Sequence, residues 1–161
     1  MAEKKSGISY EQIIKDLKAR KFAPVYVLMG DESFYIDKIC DFISENVLKP
    51  EEQDFNQTVV FGADVNAMQV VDMCKGYPMM AEYRVVVVKE AQNLRNLEPL
   101  EKYLLNPVKT TILVLCHKNG SIDRRKKFIP QAEKVGVVFE SKKLYDRQLP
   151  GFIETYLKSR K

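Results

Sequence analysis

The sequence predicts an α/β domain built on a five-stranded, mostly parallel sheet with helices on both faces. Three observations predict it. Five short segments are near-continuously apolar, which suits strands buried on both faces. Helical periodicity returns between them, and right-handed crossovers place such helices on alternate sides of a sheet. The length of 161 residues, 45% hydrophobic and 30% charged, fits one ordinary domain.

In chain order, Ser9-Tyr10-Glu11-Gln12 has capping-box spacing, with Ser9 as cap and Gln12 reaching back. Tyr10, Ile13, Ile14 and Leu17 then share a helix face. Pro24 to Met29 is an apolar run closed by Gly30, the first strand. Ile36, Ile39, Cys40, Ile43 and Val47 follow helical spacing and predict a helix over about Ser33 to Leu48. Gln57 to Phe61 reads as a strand stopped by Gly62. Asp64 is the expected cap of a helix with Ala67, Val70, Val71 and Cys74 on its inner stripe.

Arg84 to Lys89 carries four consecutive valines and is the clearest strand. Leu97, Leu100 and Leu104 mark a further helix, and Thr110 to Cys116 the fourth strand. A short basic helix is expected from Asp123 to Phe128, broken or restarted by Pro130. Val135 to Phe139 is the fifth strand. Asp146 to Lys161 looks helical, with Pro150 in its first turn and Leu149, Phe152, Ile153, Tyr156 and Leu157 apolar. That helix either packs on the sheet or opens a second domain.

Several function classes are excluded or disfavoured. The longest apolar runs fall far short of the roughly 18 residues of a membrane span, so no membrane is expected. The polar start predicts no secretory signal, and the three cysteines read as reduced, cytoplasmic thiols. Cys40, Cys74 and Cys116 are expected to be inert core residues, and no Cys or His cluster has metal-binding spacing. The one histidine, His117, sits just past the fourth strand. It could serve as a general base, but a structural role is the plainer reading, and adjacent Cys116 points to the opposite face. No catalytic residue, metal or cofactor is expected.

Ligands of open parallel sheets bind beyond the carboxyl ends of the strands. There the first strand ends in Gly30-Asp31-Glu32-Ser33. A phosphate-binding loop needs more glycine and a Lys-Ser/Thr pair. Asp31 and Glu32 instead put carboxylates at the helix start, where they repel an anion. The valine strand ends in Lys89, which cannot ligate magnesium. These residues read as a degenerate, non-binding nucleotide loop.

Two surfaces remain. In Gly76-Tyr77-Pro78-Met79-Met80-Ala81, Pro78 fixes a turn and two methionines follow in a loop. They cover the core edge or enter a partner's apolar pocket. The second surface comes from uneven charge. Residues 1–117 sum to −3 and residues 118–161 to +7. Lys118, Arg124, Arg125, Lys126 and Lys127 are either a solvated face or a candidate contact to DNA or another subunit.

Taken together, Pro24 to Glu32, Pro78 to Arg84, Val85 to Ala91 and Thr111 to Leu115 resemble, in order and spacing, the delta subunit of the bacterial DNA polymerase III clamp loader. The resemblance implies an AAA+/P-loop NTPase-like fold lacking a functional P-loop. It implies that 1–143 form a clamp-binding domain and 144–161 the first helix of a truncated lid domain.

It further implies a subunit that binds the sliding clamp (the beta subunit) and opens its ring for loading on primed DNA, without hydrolysing ATP itself. Other clamp-loader subunits are implied partners, with primed DNA met through the assembly. The clamp contact implied is Met79 and Met80, flanked by Pro78 and Tyr77. The second of these positions is commonly aromatic in the family, and here it is Met80. The family belongs to a DNA-directed DNA polymerase holoenzyme, a nucleotidyltransferase, although this chain has no polymerase site. The rival readings are a nucleic-acid-binding module using the basic 118–127 segment and a nucleotide-dependent enzyme with an unusual phosphate site.

Overall fold

The computed structural model describes residues 8–141. Helix α1 (Tyr10–Lys18) is capped by Ser9, whose side chain accepts from the Gln12 amide at 3.1 Å. Gln12 does not reach back to complete a capping box. Its side-chain amide donates to Asp16 one turn on, at 2.9 Å. Strand β1 (Val25–Gly30) leads through a two-residue turn to α2 (Ser33–Asn46), and α3 (Pro50–Asn56) runs directly into β2 (Gln57–Phe61). Helix α4 (Ala67–Cys74) precedes β3 (Arg84–Lys89), a single 3-10 turn (Ala91–Asn93) and α5 (Glu98–Tyr103). Strand β4 (Thr111–Lys118), helix α6 (Phe128–Val135) and β5 (Val137–Ser141) follow.

All four strand pairings are parallel, in the order β2-β3-β4-β1-β5. Alternate residues of each strand feed the two faces, as a period of two requires. One face takes Val25, Val27, Val86, Val88, Leu113 and Leu115, covered by α4, α5 and α6 through Val70, Leu100, Phe128 and their neighbours. The other takes Tyr26, Leu28, Val85, Val87, Ile112 and Val114, covered by α1 and α2 through Ile13, Leu17, Ile36, Ile39 and Ile43. Val85 to Val88 are wholly buried, which explains why that strand is an unbroken valine run.

Five further local expectations need correction. The cap of α4 is Asn66, not Asp64. Its side chain accepts from the Gln69 amide, while Gln69 accepts from the Asn66 amide, both at 2.9 Å. Residues 123–127 form a turn and not a basic helix. The helix starts at Phe128, and Pro130 falls in its first turn, where the missing N–H has no partner to lose. The fifth strand lies two residues later than expected, because Val135 still belongs to α6. The fourth strand runs on to Lys118, so His117 lies within it. Helix α3 is an addition. It is polar, without an apolar period, and its only marks are Pro50 at the first position and acidic Glu51 and Glu52 in the first turn.

The expected helix from Asp146 to Lys161, and with it the domain division at 143/144, lies outside the described residues.

Candidate functional site

The crevice between the carboxyl ends of β1 and β4 is the topological switch of this sheet, since the chain leaves β1 towards one edge and crosses back from β4 to the other. The structure brings Gly30, Asp31, Glu32 and Ser33 to that point and satisfies the backbone donors of the first three, and of Phe34, internally. The Gly30 N–H donates to the Gly120 carbonyl at 3.0 Å. The Asp31 and Glu32 N–H groups both donate to the Ser141 carbonyl, at 3.0 and 3.4 Å. The Phe34 N–H donates to the Glu32 carboxylate, the cap of α2, at 3.1 Å. Amides that could cradle a phosphate are thus held by the chain itself. Lys118, at the end of β4, is paired with Asp37 at 2.7 Å.

The basic segment is also largely paired. Arg124 bonds Glu133 at 3.2 Å and Glu140 at 3.0 Å, and Arg125 bonds Asp123 at 3.0 Å. Lys126 and Lys127 form no ion pair with a described residue. They border a groove of about 690 Å3 that also presents Arg95, Glu98, Glu101 and Asp123, so its charge is mixed.

His117 lines that groove, half-buried, with Nδ1 3.2 Å from the Gly120 carbonyl oxygen. Burial holds its pKa below the ordinary 6.5, outweighing the carbonyl contact. The unfolded chain therefore takes up this proton first as pH falls. The His117 contribution to stability is complete above pH 6.5 and is lost as pH drops through the lower, folded value. Thermal unfolding between about pH 7.5 and about pH 5 should show a falling Tm, with a shallower fall in His117→Gln. Identical slopes would remove His117 as the source.

The cysteines are buried and free. Burial pushes the Cys74 thiol up to about 12. Cys116 hydrogen-bonds Cys40 beneath α2, which also raises the Cys116 thiol. Cys74 and Cys116 stay protonated at neutral pH, while the hydrogen bond from Cys116 lowers the Cys40 thiol, which is only 2% exposed. Among the described residues, no three His, Cys, Asp or Glu side chains come close enough to hold a metal ion. No described helix is long and apolar enough to cross a membrane.

The methionine loop lies at the other end of the sheet, before β3 begins. Its entry is fixed by the end of α4. Thr111 Oγ1 donates to the Cys74 carbonyl at 2.7 Å, and Arg84 Nε donates to the Met73 carbonyl at 2.9 Å. These donors satisfy carbonyls that a helix end leaves orphaned. Beyond the loop, Tyr83 packs edge-on against Phe22 with ring centroids 5.3 Å apart. Between these anchors Met79 is 60% exposed, Met80 99% and Tyr77 74%, while Pro78 is half-buried. The pair does not cover the core edge.

Met80 has φ +55°, the left-handed region that non-glycine residues rarely occupy. The Met79 N–H donates to Asn56 Oδ1 at 2.6 Å, and Asn56 Nδ2 donates to the Met79 carbonyl at 2.9 Å. Asn56, at the α3–β2 junction, is 1% exposed. Sequence reasoning missed it: a lone Asn before a strand carries no signal for a contact 23 residues away.

A family model described as DNA polymerase III, delta subunit, matches residues 26–142. The curated DNA polymerase III subunit delta of Bacillus subtilis is 28% identical over 148 residues, which is 86% of this chain and 43% of that protein. Among solved structures, the Bacillus subtilis DNA clamp loader delta protein superposes with a TM-score of 0.78 at 25% identity, covering 94% of this chain and 48% of that one. A Thermotoga maritima protein related to the DNA polymerase III gamma subunit gives 0.51 at 13% identity, covering 92% of this chain and 50% of that one, a likeness of fold alone. The chain spans about half the length of these relatives.

Proposed function

Since the chain belongs to the DNA polymerase III delta-subunit family, with the AAA+-like α/β fold expected of it, we propose that it binds the sliding clamp through Met79 and Met80 and holds the ring open for loading on primed DNA. One observation carries the reading: two adjacent methionines, 60% and 99% exposed, stand on a loop anchored at both ends. Large apolar side chains presented this way mark a partner site. Thioethers adapt well to a pocket's shape. Tyr77 and Pro78 flank the pair.

Opening needs no chemistry in this chain. A protein with higher affinity for the open ring than for the closed one shifts the ring towards opening by that difference. The energy of ATP enters through other clamp-loader subunits, which keep a phosphate loop. Support for a nucleotide-free role comes from the turn after β1, where the Gly30, Asp31, Glu32 and Phe34 amides already serve Gly120, Ser141 and Glu32. Titration calorimetry with ATP and magnesium should register no binding; a tight complex would overturn this part of the reading. The ion pairs of Lys118, Arg124 and Arg125 weigh against a free-standing nucleic-acid module. Primed DNA is met through the assembly.

The deciding experiment is direct binding of the 161-residue chain to the sliding clamp of the same organism. Absence of binding at micromolar concentration would end the proposal.

A further inference from the structure

We infer that Asn56 is a positioning residue which sets the methionine pair in its display geometry before any partner arrives. The inference rests on the clamp reading above and concerns how the same loop works.

Three facts of geometry support it. First, the Asn56 side chain engages both of its N–H donors and its carbonyl oxygen. Its oxygen accepts from the Met79 N–H at 2.6 Å, and its nitrogen donates to the Met79 carbonyl at 2.9 Å and to the Glu52 carbonyl at 2.9 Å. A primary amide offers a donor and an acceptor side by side, as a peptide group does. Asn56 therefore grips Met79 as a neighbouring strand would. Aspartate lacks the donor half of that pair, and leucine lacks both halves. Second, the grip is buried, at 1% exposure, so water does not compete freely with it.

Third, the next residue breaks the ordinary alternation. In an extended segment adjacent side chains point to opposite sides. With Met79 held at both backbone groups, the left-handed turn at Met80, φ +55°, lets both side chains stand clear of the protein. Asn56 lies where α3 meets β2, so the loop takes its position from the sheet edge itself.

A loop fixed beforehand avoids the entropy loss of ordering on contact, and affinity rises by that amount. Asn56 is 1% exposed, so a surface partner would feel its removal through the loop.

The test has two arms. In the free wild-type chain, hydrogen exchange should find the Met79 amide protected, although its side chain is exposed. In the second arm, Asn56→Ala is compared with wild type for clamp binding at a temperature where circular dichroism shows the variant folded. Affinity should fall about tenfold or more, and Met79 protection should vanish. A residue that only stabilises the fold would leave the affinity of the folded variant unchanged. In a Met79→Ala/Met80→Ala background, Asn56→Ala should weaken residual binding no further.

If Asn56→Ala does not fold, Asn56→Asp carries the expectation on affinity alone, since its carboxylate still accepts from the Met79 N–H and protects that amide but loses both donations. An unprotected Met79 amide, or a folded Asn56 variant that binds as wild type does, overturns the role of Asn56 while the clamp reading stands. Failure of the wild-type chain to bind the clamp overturns the clamp reading and this role with it.

Discussion

Replacing Met79 and Met80 together by alanine should weaken clamp binding at least about a hundredfold and leave the fold unchanged. Fully burying a methionine side chain is worth roughly 1.5–3 kcal/mol. Two of them give about 3–6 kcal/mol, and every 1.4 kcal/mol is tenfold in affinity. The same side chains contribute little to the folded chain. They are 60% and 99% exposed, and exposed substitutions usually change stability by within about 0.5 kcal/mol. Alanine also keeps the β-carbon, so the backbone at Met80 is no more and no less strained than before. Surface plasmon resonance against immobilised clamp, beside a thermal melt, separates the two quantities. Wild-type affinity in the double variant would sink the proposed contact, whatever the melt shows.

The largest loss of stability should come from Gly30→Ala. Gly30 has φ +131°, and an added β-carbon would stand 1.9 Å from the Ser141 carbonyl oxygen and 2.8 Å from its carbonyl carbon. Both obstacles are backbone, so no side chain can swing aside. Relief requires β5 to move away from β1, which breaks the bonds from Asp31 and Glu32 to Ser141. A destabilisation of about 3–5 kcal/mol is expected, at the severe end for a single substitution. Gly120→Ala is the control. It has nearly the same φ, +130°, but nothing within 4 Å of an added β-carbon. Its cost should be backbone strain alone, on the order of 1–3 kcal/mol. Urea unfolding of both variants measures the difference. Equal midpoints would show that the close approach to Ser141 can relax.

The sequence made some of this legible and not the rest, for physical reasons. Val85 to Val88 announced a buried strand because burial on both faces leaves no polar position. The order β2-β3-β4-β1-β5 depends on pairings between residues far apart, and no local pattern encodes them. Asp64 and Asn66 are both good caps, and the side chain that meets the Gln69 amide decided between them. In the basic segment, composition showed the cations but not their partners: Glu133 and Glu140 lie 9 and 16 residues from Arg124. The methionine pair was visible as two apolar residues after a turn-forming proline. Its mounting was not, because Asn56 belongs to a helix too short and polar to leave a period.

In a parallel sheet every strand starts at one end and finishes at the other, and this domain uses the two ends differently. The methionine loop precedes β3, with its Asn56 anchor just ahead of β2, while the turn at Gly30 follows β1 and is closed by the last residue of β5. The molecule thus has a floor and a ceiling separated by the length of its strands, roughly 20 Å for six residues. A partner seated on the floor at Met79 and Met80 would not touch the described residues of the ceiling. A load applied at one end would reach the other along the stiff, valine-filled sheet, and the domain would then act as a strut.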